Sequence, residues 1–227
     1  MAAPLTPEAI VDASIDLIEH DGLRGLTLRR LGATMGVDAT AFYRHFKDKA
    51  ELLRAVADRI HRDVLIDLPA SDGAWQVVVR ELCIRLRAAH VARPDLAALI
   101  SAGPPLQPHE FVLTESLLTQ LQRSGLADPL VALAYHALIE LTIGSAAIDG
   151  PVAALSAEDR LATYGAWRRV YAALDQRTFP ASTGLCAHLY VDSAAQRFGF
   201  ALELLIAGLE QLPNHGDRRN NEVLDSD

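Results

Sequence analysis

The sequence predicts an all-α protein, and three observations carry that expectation. Apolar residues recur at three- and four-residue spacing from Ile10 to Leu209. No strand-like alternation bounded by turn residues survives for more than a few positions. The periodic stretches are punctuated by helix starts, Thr6-Pro7-Glu8, Asp48 with Glu51, Asp128-Pro129 and Ser156 with Asp159, and by glycine and proline stops.

The first helix starts at the capping Thr6, buries Ile10, Ala13, Leu17 and Ile18, and ends at Gly22 and Gly25. Thr27 caps a short second helix whose inner face is Leu28, Leu31 and Met35. Gly36 breaks it in the left-handed turn that glycine enters cheaply. Asp38 then caps a third helix, with Phe42 and Phe46 on one face and Thr40, Ala41, Tyr43, Arg44 and His45 pointing elsewhere. Two short helices joined by a glycine turn, with small and hydrogen-bonding residues on the open side, describe a helix-turn-helix. Asp48 and Glu51 form a capping box for a connector helix with Leu52, Leu53, Val56, Ile60 and Val64 on one face.

Helical spacing continues beyond Ser71. Trp75 to Leu86 mark a helix that Pro94 stops, and Pro94 to Ile100 suits a short one before the Gly103-Pro104-Pro105 break. Further helices carry Phe111 to Leu121, Leu130 to Leu141 (ending at Gly150-Pro151), Leu161 to Leu174, and Phe198 to Leu212. Phe179-Pro180 interrupts the pattern, with a helical segment expected through Cys186 and His188. The tail from Pro213 is polar and expected to be disordered. The expected division is residues 1–48 for DNA, 49–212 for a larger bundle and 213–227 for the tail.

The chain has 227 residues, half of them hydrophobic, which allows a sizeable core in one or two domains. Net charge is −8, but residues 22 to 49 carry six basic side chains against Asp38 and Asp48, a local +4. A basic face on an acidic body suits a protein that binds phosphates at one end. Cys83 and Cys186 stand far apart and outside zinc-type spacing, and read as reduced packing residues of a cytosolic protein. No apolar run approaches 18 residues, and the N-terminus lacks a signal-peptide layout. No G-x-S-x-G, P-loop, dinucleotide fingerprint or HExxH is present, which disfavours an enzyme. His136 and Glu140 share a helix face, but nothing in sequence supplies a third ligand, so no metal or cofactor is expected.

The spacing Thr27, Leu31, Gly36-Val37, Phe42-Tyr43, His45-Phe46, Lys49 and Leu52-Leu53 resembles the TetR family of bacterial transcriptional regulators. Gly32 stands where that pattern mostly has Ala, which should loosen the second helix by somewhat under about 1 kcal/mol. Asp38 stands where Ser or Thr is usual. The resemblance implies that Thr27, Tyr43 and Lys49 meet phosphates, that His45 orients the backbone, and that Arg29, Ala39, Thr40, Ala41 and Arg44 read bases of double-stranded DNA.

It also implies a homodimer on a palindromic operator and an unidentified small-molecule effector, hence a ligand-released repressor in the cytoplasm, with no membrane partner. The implied pocket residues are Trp75, Cys83, Leu86 and His90, then Phe111, Leu118, Tyr135 and Ile139, and finally Trp167 and Tyr171. Core packing is the competing use of such residues. Residues 130 to 148 are apolar nearly all round and the last helix has a broad apolar face, the mark of deep burial or an interface. The expected dimer contacts are Leu138, Leu141, Phe198, Leu202, Leu205 and Leu209. A protein that binds DNA constitutively, with a bundle that only dimerises, remains the alternative.

Overall fold

A computed structural model describes residues 5–68, 73–95 and 107–212. Among them the secondary structure is helical throughout, and no strand occurs. The short helix expected to run to Ile100, the Gly103-Pro104-Pro105 break and the tail lie outside the described residues. In chain order the helices are α1 (Pro7–Gly25), α2 (Leu28–Met35), a 3-10 helix (Ala39–Arg44), α3 (Lys49–Leu65), α4 (Trp75–Val91), α5 (Pro108–Arg123), α6 (Asp128–Ala153), α7 (Ala157–Ala172), α8 (Pro180–Leu189) and α9 (Ala194–Glu210).

The expected caps form. Thr6, Thr27, Asp38, Asp48 and Ser156 each accept an orphan backbone N–H at the start of the following helix. The box at Asp48 differs in one detail: Glu51 accepts from the backbone N–H of Lys47, one residue before the cap. Gly22 takes φ 70 and kinks α1, which ends at Gly25 as expected. One expectation about breaks needs correction. Gly150-Pro151 does not end α6, because proline near a C-terminus forfeits a single backbone bond and Ala154 N–H still reaches the Gly150 carbonyl at 3.0 Å. Gly150 also fits closely against Pro94, where an added Cβ would meet the ring carbon at 2.9 Å.

Two hydrophobic clusters result. Ile10, Leu26, Leu31, Phe42, Leu52 and Val56 are fully shielded at the centre of the first, which α1, α2, the 3-10 helix and most of α3 build. The second gathers Val79, Leu82 and Leu86 of α4, Leu117 and Leu121 of α5, Leu138 of α6 and Leu202 of α9. Helix α3 belongs to both, since Leu52 to Ile60 face the first cluster and Val64 faces the second. Its far end is pinned by Arg85 of α4, whose guanidinium donates to the carbonyls of Ile66 and Asp67. Arg87, Asp149 and Arg197 tie α4, α6 and α9 together, with Asp149 accepting at 2.6 Å and 2.5 Å.

Helix α6 corrects the expectation on apolar runs. Its 26 residues reach a mean hydropathy of 1.6 over 18 positions, enough by length and composition to cross a membrane, and only 28% of that window is buried within the chain. Such a helix in a single chain has an apolar face waiting for cover.

Candidate nucleic-acid interface

The helix-turn-helix is built as its sequence suggests up to Asp38. Thr27 Oγ1 accepts the Arg30 N–H at 3.2 Å and α2 follows. Gly36 sits at φ 67, the left-handed turn. The segment that follows is a 3-10 helix and not the expected α-helix. A 3-10 turn advances three residues per turn, so Thr40 and Tyr43 share its outer side while Phe42 is buried beneath it. Gly32 of α2 lies against this turn. An added Cβ there would meet the Val37 carbonyl oxygen at 2.7 Å and Ala39 N at 3.3 Å, so the turn and the start of the 3-10 helix lie directly on α2. The glycine that sequence alone marks as a loosening residue is what admits this close approach.

The open surface carries Arg29, Thr40, Tyr43 (59% exposed) and Arg44, with Ala39, Ala41 and His45 half-buried at its margins. Two of the basic residues are already engaged. Arg30 pairs with Asp21, and Lys49 Nζ donates to the Leu26 carbonyl at 2.6 Å. Lys49 therefore fastens α3 to the end of α1 with one N–H and keeps the others outward.

Behind this surface α3 meets α4 and α5 through polar groups that sequence reasoning missed. Asp58 Oδ1 accepts the His109 backbone N–H at 2.8 Å, and Oδ2 lies 2.8 Å from His109 Nδ1. One turn along, His61 Nδ1 stands 3.6 Å from Glu110 Oε1. His90 of α4 is buried beside His61, with ring centroids 5.9 Å apart. Among the described residues no hydrogen-bond partner reaches Nδ1 of His61 or either nitrogen of His90. Burial, then the neighbouring His61, pushes the His90 pKa down to about 4. Burial also lowers that of His61, against the pull of Glu110 and Asp58. Asp58 and His109 lie 51 residues apart, and no local spacing announces the pair.

The expected pocket residues do not all meet. Cys83, Leu86 and His90 are buried on α4, and Trp75, Leu118, Tyr135 and Ile139 pack half-buried against the same core. Tyr135 and Thr114 hydroxyls lie 3.2 Å apart between α5 and α6. Phe111 faces outward, beside a groove of about 570 Å3 lined also by Leu68, Val78, Val112 and Thr119. Trp167 and Tyr171 belong elsewhere: they stack with Tyr164 and Tyr190 in a cluster between α7 and α8. Burial pushes the Cys83 thiol up to about 11, so it is an inert packing group.

The expected contact residues of α6 and α9 need the same correction. Leu138, Phe198, Leu202 and Leu209 are buried inside the single chain, and Leu141 and Leu205 pack half-buried against its core. The faces left open carry Leu133 (65% exposed) and Ile148 (75%) on α6, and Phe200 (69%) and Leu204 (59%) on α9. Leu161 and Val170 of α7 are exposed as well.

Comparison with known proteins agrees with this architecture in both parts of the chain. Residues 10–56 match the family model described as bacterial regulatory proteins, tetR family, and residues 68–212 match the tetracyclin repressor-like C-terminal domain. The chain is similar to the HTH-type transcriptional repressor DrrR1 of Streptomyces coeruleorubidus, 27% identical over 92% of this chain and 78% of the relative. It is 29% identical to the class D tetracycline repressor protein of Escherichia coli, over 92% and 90% of the two chains. Among solved structures, ActR of Streptomyces coelicolor in complex with actinorhodin superposes with a TM-score of 0.78 at 28% identity, over 91% of this chain and 97% of that one.

Proposed function

This chain belongs to the tetR family of bacterial regulatory proteins, and we propose that it acts in the cytoplasm as a homodimeric repressor, released from a palindromic operator by a small molecule bound in its helical body. The observation that carries the reading is helix α3, which packs into both hydrophobic clusters and starts where the DNA-facing surface ends. Anything that moves the far end of α3 moves that surface.

In this reading residues 1–48 are the reading head and 49–212 the effector and dimerisation body. Tyr43, Thr27 and the free N–H groups of Lys49 hold phosphates, and His45 orients the backbone. Arg29, Ala39, Thr40, Ala41 and Arg44 face base edges in a major groove about 12 Å wide. The open apolar faces of α6 and α9 meet their two-fold mates, with Phe200 and Leu204 as contacts in place of the buried leucines. Two heads must then stand about 34–36 Å apart to reach successive major grooves.

The effector lies among α4, α5 and α6, near Trp75, Tyr135 and His90. The class D relative is named for tetracycline and ActR is solved with actinorhodin, which supports an organic small molecule here. The Asp58–His109 contact passes a shift of α5 to α3. A 100-fold preference of the ligand for the released shape supplies roughly 2.7 kcal/mol, the most by which it shifts the balance.

The test is a binding titration on duplex DNA from upstream of the protein's own gene, with a thermal-shift screen of aromatic small molecules. Operator binding should be sequence-specific, and a compound that raises the melting temperature should weaken it. Tight DNA binding that no stabilising compound alters would leave a constitutive DNA-binding protein instead.

A further inference from the structure

One contact on the DNA-facing surface fixes the direction of a hydrogen bond. Asp38 Oδ1 accepts the Thr40 backbone N–H at 2.8 Å and lies 2.6 Å from Thr40 Oγ1. These bonds, the hydroxyl first and the amide second, hold the Asp38 carboxyl below the usual carboxylate range. An ionised carboxylate offers only lone pairs, so the shared proton is threonine's. A hydroxyl has one proton, and Thr40 has used it. What Thr40 turns outward is oxygen lone pairs and a methyl group. The second oxygen of Asp38 can likewise only accept. Both residues are exposed, in a strip shared with the donor-only guanidiniums of Arg29 and Arg44 and the phenol of Tyr43.

We infer that the Asp38–Thr40 pair selects a base presenting an amino group in the major groove, cytosine before adenine, at the operator position it meets. The base edges decide this. Cytosine presents the N4 amino donor, and adenine presents its N6 donor beside the N7 acceptor. Guanine presents O6 and N7, and thymine presents O4 beside its C5 methyl; the oxygen and nitrogen atoms are acceptors that an acceptor-only, negatively charged pair repels. Adenine's N7 makes it second to cytosine. A serine at position 38, as in the pattern the chain resembles, could turn its hydroxyl either way and would impose no such direction. The inference rests on the DNA-reading role of the head and adds the chemical class of base that it accepts.

The experiment is selection from a random duplex library by the full-length protein, followed by titration of the enriched site. Wild type, Thr40→Val and Asp38→Ser are compared; serine keeps the helix cap, so the third protein stays folded. Wild type should enrich a cytosine at one position whose preference Thr40→Val flattens and Asp38→Ser broadens. Changing that cytosine to thymine should weaken wild type roughly five- to a hundredfold. The same change should leave Asp38→Ser within about threefold. Wild-type binding that does not weaken when that cytosine is changed to thymine overturns the inference, as does a pair of variants that leave every position unchanged. Failure of wild type to enrich any sequence is a different result, and it removes the DNA-reading role together with the inference.

Discussion

Asp58 of α3 grips His109 of α5 twice, one carboxylate oxygen on its backbone N–H and the other beside its ring, each at 2.8 Å. His109 is the second residue of α5, so Asp58 also satisfies an orphan amide at that helix start from a different helix. Asp58→Ala should lower stability by about 1–2 kcal/mol. It should also blunt the response of operator binding to ligand while leaving ligand affinity near wild type. Calorimetric ligand titration beside DNA titration checks both halves, and an intact response would show that coupling runs by another route.

Acid should weaken the fold through His90. Its folded pKa of about 4 lies below the ordinary 6.5, so the unfolded chain binds more protons between those values and stability falls as pH drops from 6.5 towards 4. That difference corresponds to roughly 3 kcal/mol. His61 is lowered by burial and adds in the same direction. His90→Leu removes two unsatisfied ring nitrogens, and should raise stability at pH 7 and flatten the acid limb. Denaturant melts at pH 7 and pH 5 read both; an unchanged acid limb in the variant would clear His90 of the effect.

Gly32→Ala sets two effects against each other. Alanine favours an isolated helix by about 1 kcal/mol. The added Cβ would stand 2.7 Å from a backbone oxygen, and overpacking of that kind costs typically 1–3 kcal/mol. The clash should win: the variant should melt lower and bind operator more weakly, through displacement of the 3-10 helix. A melting temperature above wild type would show that the turn gives way freely.

Two leucines of α9 separate the proposed interface from the core. Leu204→Glu should give a folded monomer by light scattering, because residue 204 lies on the open face of α9. Leu202→Glu should unfold the chain, since that side chain is fully buried and its charge would be unpaired. A Leu204→Glu protein that keeps the mass of a dimer would move the interface off α9.

Much of the head could be read from sequence because its signals are local. A cap such as Thr27, a stop such as Gly36 and a stripe such as Leu52 to Val64 each lie within a turn or two of what they shape. The 3-10 form of residues 39–44 was not legible, nor was the close approach of Gly32 to the Val37 backbone across the turn, because neither leaves a mark in local spacing. The body was legible in its helices and not in their faces. Where a helix is apolar all round, as α6 is, periodicity cannot say which side its own chain covers, and Leu138 and Ile148 look alike until packing separates them. The polar joint of Asp58, His61, His109 and Glu110 leaves no local signal because its partners lie on separate helices.

The double allegiance of α3 sets rules for anyone who would graft this head onto another body. A seam at Ile66 would import Asp58, His61 and Val64 with the head and set them against a foreign α4 and α5. A seam at Asp48 would set Leu52, Leu53 and Val56 of a foreign α3 beneath Leu31 and Phe42. Neither cut is clean, so a working chimera needs a hybrid helix, with the head-facing positions from one parent and the body-facing positions from the other.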